Sequence, residues 1–281
     1  MVVADSLGAL AAWRAAARGR LGVVPTMGAL HDGHLSLVRR ARAECDLVAV
    51  TIFVNPAQFG PHEDLSAYPR DVPRDLALLE AEGTDLVFTP SEAMVYPGGF
   101  LTWVVVEKLA ERWEGISRPG HFRGVATVVL KLLNLVAAER AYFGEKDYQQ
   151  LRVVERMARD LNVPTTIVAC PTVREPDGLA MSSRNAYFSP VERQAAIVLW
   201  RALAAARDAC RAGQRDASAL ARLVGETIAR EPRARLDYVG VADAQTLEPV
   251  ERVEEAGAIC LVAAWIGRVR LIDNLLLTLR A

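Results

Sequence analysis

Two histidines in the motif HDGH, His31 and His34, offer the clearest chemistry in this 281-residue sequence. A helix that begins near Asp32 or Gly33 would place both rings on one side of its first turn. That turn has unpaired N–H groups and the positive end of the helix dipole, which favour phosphate. Imidazole N–H groups would add donors. The motif therefore indicates a nucleotide phosphate at the helix start, although the two rings could equally be a helix cap and an exposed side chain.

Apolar patterns predict the elements that hold this motif. Leu21–Val24 is typical of a buried parallel strand, and Pro25 is expected to end it. A second strand, Leu47–Val54, runs into FVNPAQFG, so Asn55 and Gln58 follow its carboxyl end. Ligands of open parallel sheets bind at that edge. Alternatively, FVNPAQFG is an ordinary turn that contains proline and glycine and has a solvated amide side chain.

A second strand-to-helix junction lies at Arg140–Phe143, followed by a helix that is predicted to begin near Asp147. It groups Gly144, Lys146, Asp147 and Gln150. Lys146 could reach a phosphate as a flexible point charge, or it could be a solvated lysine at a helix start.

Ser182, Ser183 and Arg184 follow one another in a polar loop before a helix predicted after Pro190. Two hydroxyls and a guanidinium suit a loop that closes over anionic oxygens. An ordinary capping and turn segment is the alternative.

The remaining pattern predicts alternating strands and helices joined by a parallel crossover. After about residue 190 the predicted helices become rich in alanine and arginine. The GR pair at 267–268 predicts a hairpin turn. The predicted helices cover 5–18, 75–82, 125–138, 191–212 and 216–230. The predicted further strands cover 86–89, 103–106, 167–170, 236–242, 258–266 and 268–273.

Composition excludes several classes of protein. A net charge of −1 with 52% hydrophobic residues argues against a general nucleic-acid or membrane binder. No apolar run is long enough for a membrane span, and Asp5 and Arg14 within residues 1–17 argue against a signal peptide. A zinc site is disfavoured because His62 and His121 are isolated from any cysteine pair. The scattered cysteines predict buried thiols in a cytoplasmic protein. They are Cys45, Cys170, Cys210 and Cys260.

Six motifs occur in one order along the chain: PTMGALHDGHLSLV, FVNPAQFG, AYPRD, RPGHFRGV, FGEKDYQQL and GLAMSSRN. Together with the closing GRVRLIDNLL they resemble the pantothenate synthetase (pantoate–β-alanine ligase) family nearly end to end. HDGH corresponds to the HIGH signature of the nucleotidyltransferase superfamily. AMSSRN is similar to that superfamily's KMSKS loop but lacks its lysines.

The resemblance implies an AMP-forming ligase for coenzyme A biosynthesis. ATP and (R)-pantoate would give pantoyl adenylate and pyrophosphate, and β-alanine would then displace AMP to give pantothenate. Magnesium would accompany ATP. The implied fold is a Rossmann-like ATP- and pantoate-binding domain at 1–175, with helices on both faces of a parallel sheet, and a smaller α/β lid domain at 176–281. The implied assembly is a homodimer without nucleic-acid or membrane partners.

The resemblance also implies site residues. The implied catalytic residues are His31, His34, Lys146, Ser182, Ser183 and Arg184. The implied ATP-binding residues are Met27, His34, Gly144, Lys146, Asp147, Val173, Met181, Ser182, Ser183 and Arg184. The implied pantoate-binding residues are Gln58, Gln150, Asn55 and Tyr68. Asp75 would orient magnesium, although Arg74 precedes it where some relatives have an acidic residue.

Two other functions fit parts of the pattern. An adenylyltransferase that transfers AMP to a phosphate would share HDGH but would need no pantoate pocket, which Gln58 and Gln150 argue against. A catalytically inactive nucleotide sensor would be favoured by loss of either histidine, Lys146 or the SSR triplet, and all of these are present.

Overall fold

The computed structural model describes residues 1–61 and 63–279, so His62 lies outside the described residues. The chain divides into two compact units. The first contains Met1–Glu145 and Gln149–Pro171, and the second contains Lys146–Tyr148 and Thr172–Ala281. The sequence placed Lys146–Tyr148 with the preceding chain, whereas its contacts assign it to the second unit.

The first unit is built on a six-stranded, all-parallel sheet with the order β1-β4-β3-β2-β5-β6. This confirms the predicted α/β class. Its strands are β1 (Val2–Ala4), β2 (Leu21–Thr26), β3 (Leu47–Ile52), β4 (Leu86–Phe88), β5 (Arg140–Gly144) and β6 (Thr166–Cys170).

Helices cover both faces of this sheet. Val23 of β2 packs into one buried cluster and the next residue, Val24, packs into another, because successive side chains of a strand point to opposite faces. None of the helices in the described part of the chain is long and apolar enough to cross a membrane. The helices of this unit are α1 (Leu7–Ala16), α2 (Asp32–Glu44), α3 (Val72–Ala81), α4 (Glu92–Val95), α5 (Glu114–Ser117), α6 (His121–Val136) and α7 (Tyr148–Asp160), the last of which begins in the second unit.

The strand order reverses beside β2. After β2 the chain proceeds outward through β3 and β4, and later returns to β5 on the other side of β2. In open α/β sheets, the crevice at such a reversal is where ligands bind. The loop after β2 contains the HDGH motif, so topology places the histidines beside this point.

Two local predictions were wrong. Pro25 does not end β2 but pairs with Thr51 inside it. The carbonyl of Thr26 accepts from Phe53 on the β3 side, so Pro25 faces the β5 side, where pairing stops at Val23. Its missing N–H therefore costs no ladder bond. Residues 103–106 form no strand. The Val104 N–H instead donates to the Thr127 hydroxyl at 3.0 Å.

The second unit contains a three-stranded antiparallel sheet with the order β7-β8-β9. The predicted hairpin turn is confirmed, since Ile266 pairs with Val269 across Gly267 and Arg268. The predicted helix 191–212 is interrupted at Ile197. The elements are α8 (Pro190–Ala196), α9 (Val198–Arg211), α10 (Ala217–Ala229), β7 (Ala234–Ala242), β8 (Ala258–Ile266) and β9 (Val269–Leu277).

Candidate active site

His31 and His34 cap α2 reciprocally. The Nδ1 atom of His31 accepts from the Gly33 N–H at 3.1 Å, and the Nδ1 atom of His34 accepts from the His31 N–H at 3.4 Å. A neutral imidazole that accepts at Nδ1 has its proton on Nε2. The ring centroids lie 4.1 Å apart, so the start of α2 presents two neighbouring Nε2–H donors. The cap and the phosphate-donor hypotheses are therefore compatible: one nitrogen of each ring caps and the other can donate.

Asp75 fixes the loop that leads to these histidines. Its two carboxylate oxygens accept the N–H groups of Ala29 and Leu30, each at 2.8 Å. Asp75 is 1% exposed, and Ala29 is held at a φ of 50°, in the left-handed region. Gly28 approaches so closely that a Cβ would lie 2.9 Å from an Asp75 oxygen. The Asp75 carboxylate therefore shapes the turn between β2 and α2.

The magnesium role that the resemblance implied for Asp75 is not tested by this geometry, which shows the carboxylate in backbone contacts. Both oxygens already accept backbone N–H groups. Among residues 1–61 and 63–279, no group of three His, Cys, Asp or Glu side chains could hold a metal ion. The assignment stays a prediction that substitution can test.

Asp75→Asn is expected to lower the free energy of unfolding by about 2 kcal/mol, because the amide NH₂ faces a backbone N–H and one charge-assisted bond is lost. Urea unfolding measures this loss. Asp71→Asn is the matched control, since Asp71 is exposed and caps α3, where asparagine serves equally well. An unchanged stability with a higher magnesium requirement would instead support the metal role.

Asn55 orients Gln58, the amide predicted to bind pantoate. The Asn55 Nδ2 atom donates to Gln58 Oε1 at 3.0 Å, and the Tyr96 hydroxyl donates to Asn55 Oδ1 at 2.7 Å. Asn55 is 1% exposed, whereas Gln58 is partly exposed. The Gln58 Nε2 atom lies 3.2 Å from the sulfur of Met27, so the structure brings these two predicted site residues together.

A cluster that sequence reasoning did not assign holds the backbone of Gln58. The Gln58 carbonyl accepts from His121 Nδ1 at 2.9 Å and from Arg118 at 3.3 Å. Arg118 also forms a two-bond ion pair with Glu63 at 2.6 and 2.8 Å. Its Nη1 lies 3.1 Å from His121 Nε2, and because arginine only donates, that nitrogen accepts. The i, i+3 spacing of Arg118 and His121 in RPGHFRG was the available signal.

His121 makes stability depend on pH. Burial, assisted by the Arg118 guanidinium, lowers the pKa of His121 from 6.5 to about 4. The unfolded chain therefore binds a proton below pH 6.5 that the folded chain rejects until about pH 4. The stability that the neutral His121 side chain contributes is therefore fully present above pH 6.5 and is lost as the pH falls. The loss of unfolding free energy reaches about 3 kcal/mol near pH 4.

The parent protein should lose more unfolding free energy between pH 7 and pH 4 than His121→Gln does. We expect the difference between the two proteins to be about 3 kcal/mol, because glutamine does not titrate. Urea unfolding at several pH values measures it. If the unfolding free energies of the two proteins changed by the same amount between pH 7 and pH 4, the expectation would be contradicted.

The second unit positions the other predicted nucleotide-binding residues. Arg174 pairs with Ala180 in an isolated bridge, and Met181 N–H donates to the Val173 carbonyl at 3.0 Å. This small hairpin leads directly to Ser182, whose Oγ accepts from the N–H of Arg184 at 3.3 Å. Ser182 thus caps the 3-10 helix Ser183–Tyr187. The capping alternative is correct for the Ser182 side chain, and a phosphate-binding role for the triplet stays a prediction.

The remaining predicted residues occupy varied positions. The Lys146 ammonium lies 3.4 Å from the Asp147 carboxylate. Tyr68 is 6% exposed and packs edge-on against Phe59, with 6.0 Å between ring centroids. A Cβ added at Gly144 would meet no atom within 4 Å. Gln150 lies in the first turn of α7 and is partly exposed. Their substrate contacts stay predictions.

Known proteins resemble this chain over nearly its full length. The model of the family described as pantoate-beta-alanine ligase matches residues 3–276. A pantothenate synthetase from Roseiflexus castenholzii is 58% identical over 277 residues, covering 99% of both chains. The crystal structure of pantothenate synthetase from Thermus thermophilus is 50% identical, with a TM-score of 0.94 over 99% of this chain and 100% of that one.

Another solved structure, of lower sequence identity, is a complex with ligands. The pantoate-beta-alanine ligase from Francisella tularensis, complexed with beta-gamma ATP and beta-alanine, is 36% identical and covers 98% of this chain and 97% of its own, with a TM-score of 0.81. A family match to residues 3–276, a relative that is 58% identical and a shared fold all agree. The chain belongs to the pantoate–β-alanine ligase family.

Proposed function

We propose that this protein condenses (R)-pantoate with β-alanine to give pantothenate, using ATP and passing through pantoyl adenylate. The observation that carries this proposal is the reciprocal cap of His31 and His34, which directs two Nε2–H donors from the start of α2. Family membership and the ATP- and β-alanine-bound relative support the substrates.

The chemistry requires activation because a free carboxylate is a poor acyl donor. A pantoate carboxylate oxygen attacks the α-phosphorus of ATP, the bond from that phosphorus to the bridging oxygen breaks, and pyrophosphate leaves. The β-alanine amine then attacks the acyl carbon, loses a proton and expels AMP. Negative charge accumulates on phosphate oxygens in the first step, so donors and cations accelerate it without a protein nucleophile.

Residue roles follow from this chemistry. In the first unit, His31 and His34 donate to phosphate oxygens, Met27 walls the site, Gly144 contacts the nucleotide, and Gln58 holds pantoate with help from Asn55. Gln150 and Tyr68 complete the pantoate site. In the second unit, the proposed phosphate-binding side chains are Lys146, Ser182, Ser183 and Arg184. The proposed contacts to ribose and adenine are Asp147, Val173 and Met181.

Magnesium is proposed only as the companion of ATP, bound by phosphate oxygens. The described residues provide no cluster of protein ligands for it, and Asp75 is engaged with backbone N–H groups.

The proposed reaction is tested by incubating the protein with ATP, magnesium and pantoate, with and without β-alanine. We expect AMP to form in step with pantothenate and only when every component is present. AMP or pyrophosphate formed without pantoate would overturn the proposal and favour an adenylyltransferase with another acceptor.

We also propose a cytoplasmic homodimer. Four cysteines, all free and buried, support a reducing compartment: Cys45, Cys170, Cys210 and Cys260.

Exposed apolar side chains of the first unit offer area that a second copy could bury: Leu101, Val105 and Ile116 are 88%, 61% and 71% exposed. Light scattering of the purified protein measures its mass, and the mass of a single chain would contradict the dimer.

A further inference from the structure

Asn274 is a buried amide in the middle of β9 that the proposed chemistry does not use. It is 7% exposed and pairs with Leu261 in the β8–β9 ladder. Its side-chain Nδ2 atom donates to the backbone carbonyl of Lys146 at 2.9 Å. A carbonyl can only accept, so the contact defines the orientation of the amide. The hydrogen bond joins residues 128 positions apart.

The segment around Lys146 has a second anchor of the same kind. The Tyr148 hydroxyl donates to the Ala244 carbonyl at 3.0 Å. These two bonds tie Lys146–Tyr148 to the second unit, whereas its neighbours on both sides belong to the first.

The residue before Asn274 anchors the other nucleotide-binding segment of this unit. Asp273 is 4% exposed and forms a two-bond ion pair with Arg174 at 2.7 and 2.9 Å. Arg174 also stacks on Trp200, with its guanidinium carbon 4.2 Å from the ring centroid. Arg174 begins the hairpin that leads to Ser182. Successive side chains on a strand point to opposite sides, so one dipeptide can hold two segments.

We propose that Asn274 is a positioning residue for ATP phosphate binding and acts through Lys146. By holding the Lys146 carbonyl, its amide sets the direction in which the lysine side chain leaves the backbone. This inference rests on the proposed phosphate contact of Lys146.

The test compares kcat/KM for ATP in Asn274→Ala, Asn274→Asp, Lys146→Ala and the double variant Lys146→Ala/Asn274→Ala. Asn274→Asp keeps the volume but removes the donor. We expect both Asn274 variants to lose about tenfold in kcat/KM for ATP, the scale of one buried hydrogen bond, with the KM for pantoate unchanged. The double variant should fall within about twofold of Lys146→Ala, because the two residues act as one unit.

Leu276→Ala is the matched control, because this residue lies in the same strand with its side chain 45% exposed. It should retain the parent activity. Thermal unfolding of each variant verifies the fold, and if Asn274→Ala does not fold, Asn274→Asp and its double variant with Lys146→Ala decide the question.

Parent-like activity of Asn274→Ala would overturn the inference. Parent-like activity of Asn274→Asp beside an impaired Asn274→Ala would also overturn it, because the side chain would then act by packing. Losses that multiply in the double variant would show that the two residues act independently and would overturn it as well. Parent-like activity of Lys146→Ala would overturn the phosphate role itself. An impaired Lys146→Ala beside an intact Asn274→Ala would overturn the positioning role alone.

Discussion

His34→Ala is expected to lower the rate of pantoyl-adenylate formation about 100- to 1000-fold, the scale of removing one donor that acts on a developing charge. The Nδ1 atom of His34 caps α2, and its Nε2–H is the proposed donor to phosphate oxygen. The affinity for ATP should change less, because that donor acts mainly in the transition state. Pyrophosphate release from ATP and pantoate, measured in a single turnover, reports this step.

His34→Gln separates the two functions of this side chain. Glutamine at the third helical position can accept the N–H of the cap residue, as in a capping box, so the start of α2 should keep its stability. It does not reproduce the imidazole Nε2–H, so adenylation should stay slow. Near-normal pyrophosphate release by His34→Ala would remove the histidine from the reaction.

Gln58→Ala is expected to raise the KM for pantoate at least tenfold while changing the KM for ATP much less. An amide both donates and accepts, so it matches a ligand that has hydroxyls and a carboxylate. Its removal also leaves the buried Asn55 Nδ2 atom without its Gln58 partner, which adds to the loss. Steady-state kinetics with each substrate varied in turn measures the difference.

Gln194→Ala is the control for Gln58→Ala. It removes the same amide from an exposed position on α8, in the other unit, and should leave both KM values unchanged. Equal losses for pantoate and ATP in Gln58→Ala would take Gln58 out of the pantoate pocket and favour a general effect on the loop 55–60.

The sequence sufficed for features that short stretches determine. The helix starting at Asp32, the strands β2 and β5 and the hairpin at Gly267 follow from apolar periodicity, capping and turn chemistry, which act over a few residues. The order of six long motifs identified the family. Local rules failed where neighbours in space mattered. Pro25 is tolerated in β2 because the pairing with β5, on its N–H side, stops at Val23. Residues 103–106 form no strand, and the Val104 N–H bonds to the Thr127 hydroxyl.

Tertiary structure alone decided how the predicted site residues are held. Asp75 reaches Ala29 and Leu30 from about 45 residues away, and the clamp that its carboxylate forms on this loop depends on tertiary packing that no motif records. His121 acquires its low pKa only when packing removes water around it. Lys146 joins the second unit through Asn274, at the far end of the chain. Such contacts arise when distant segments pack, and chain periodicity contains no information about which distant partner a polar side chain will meet.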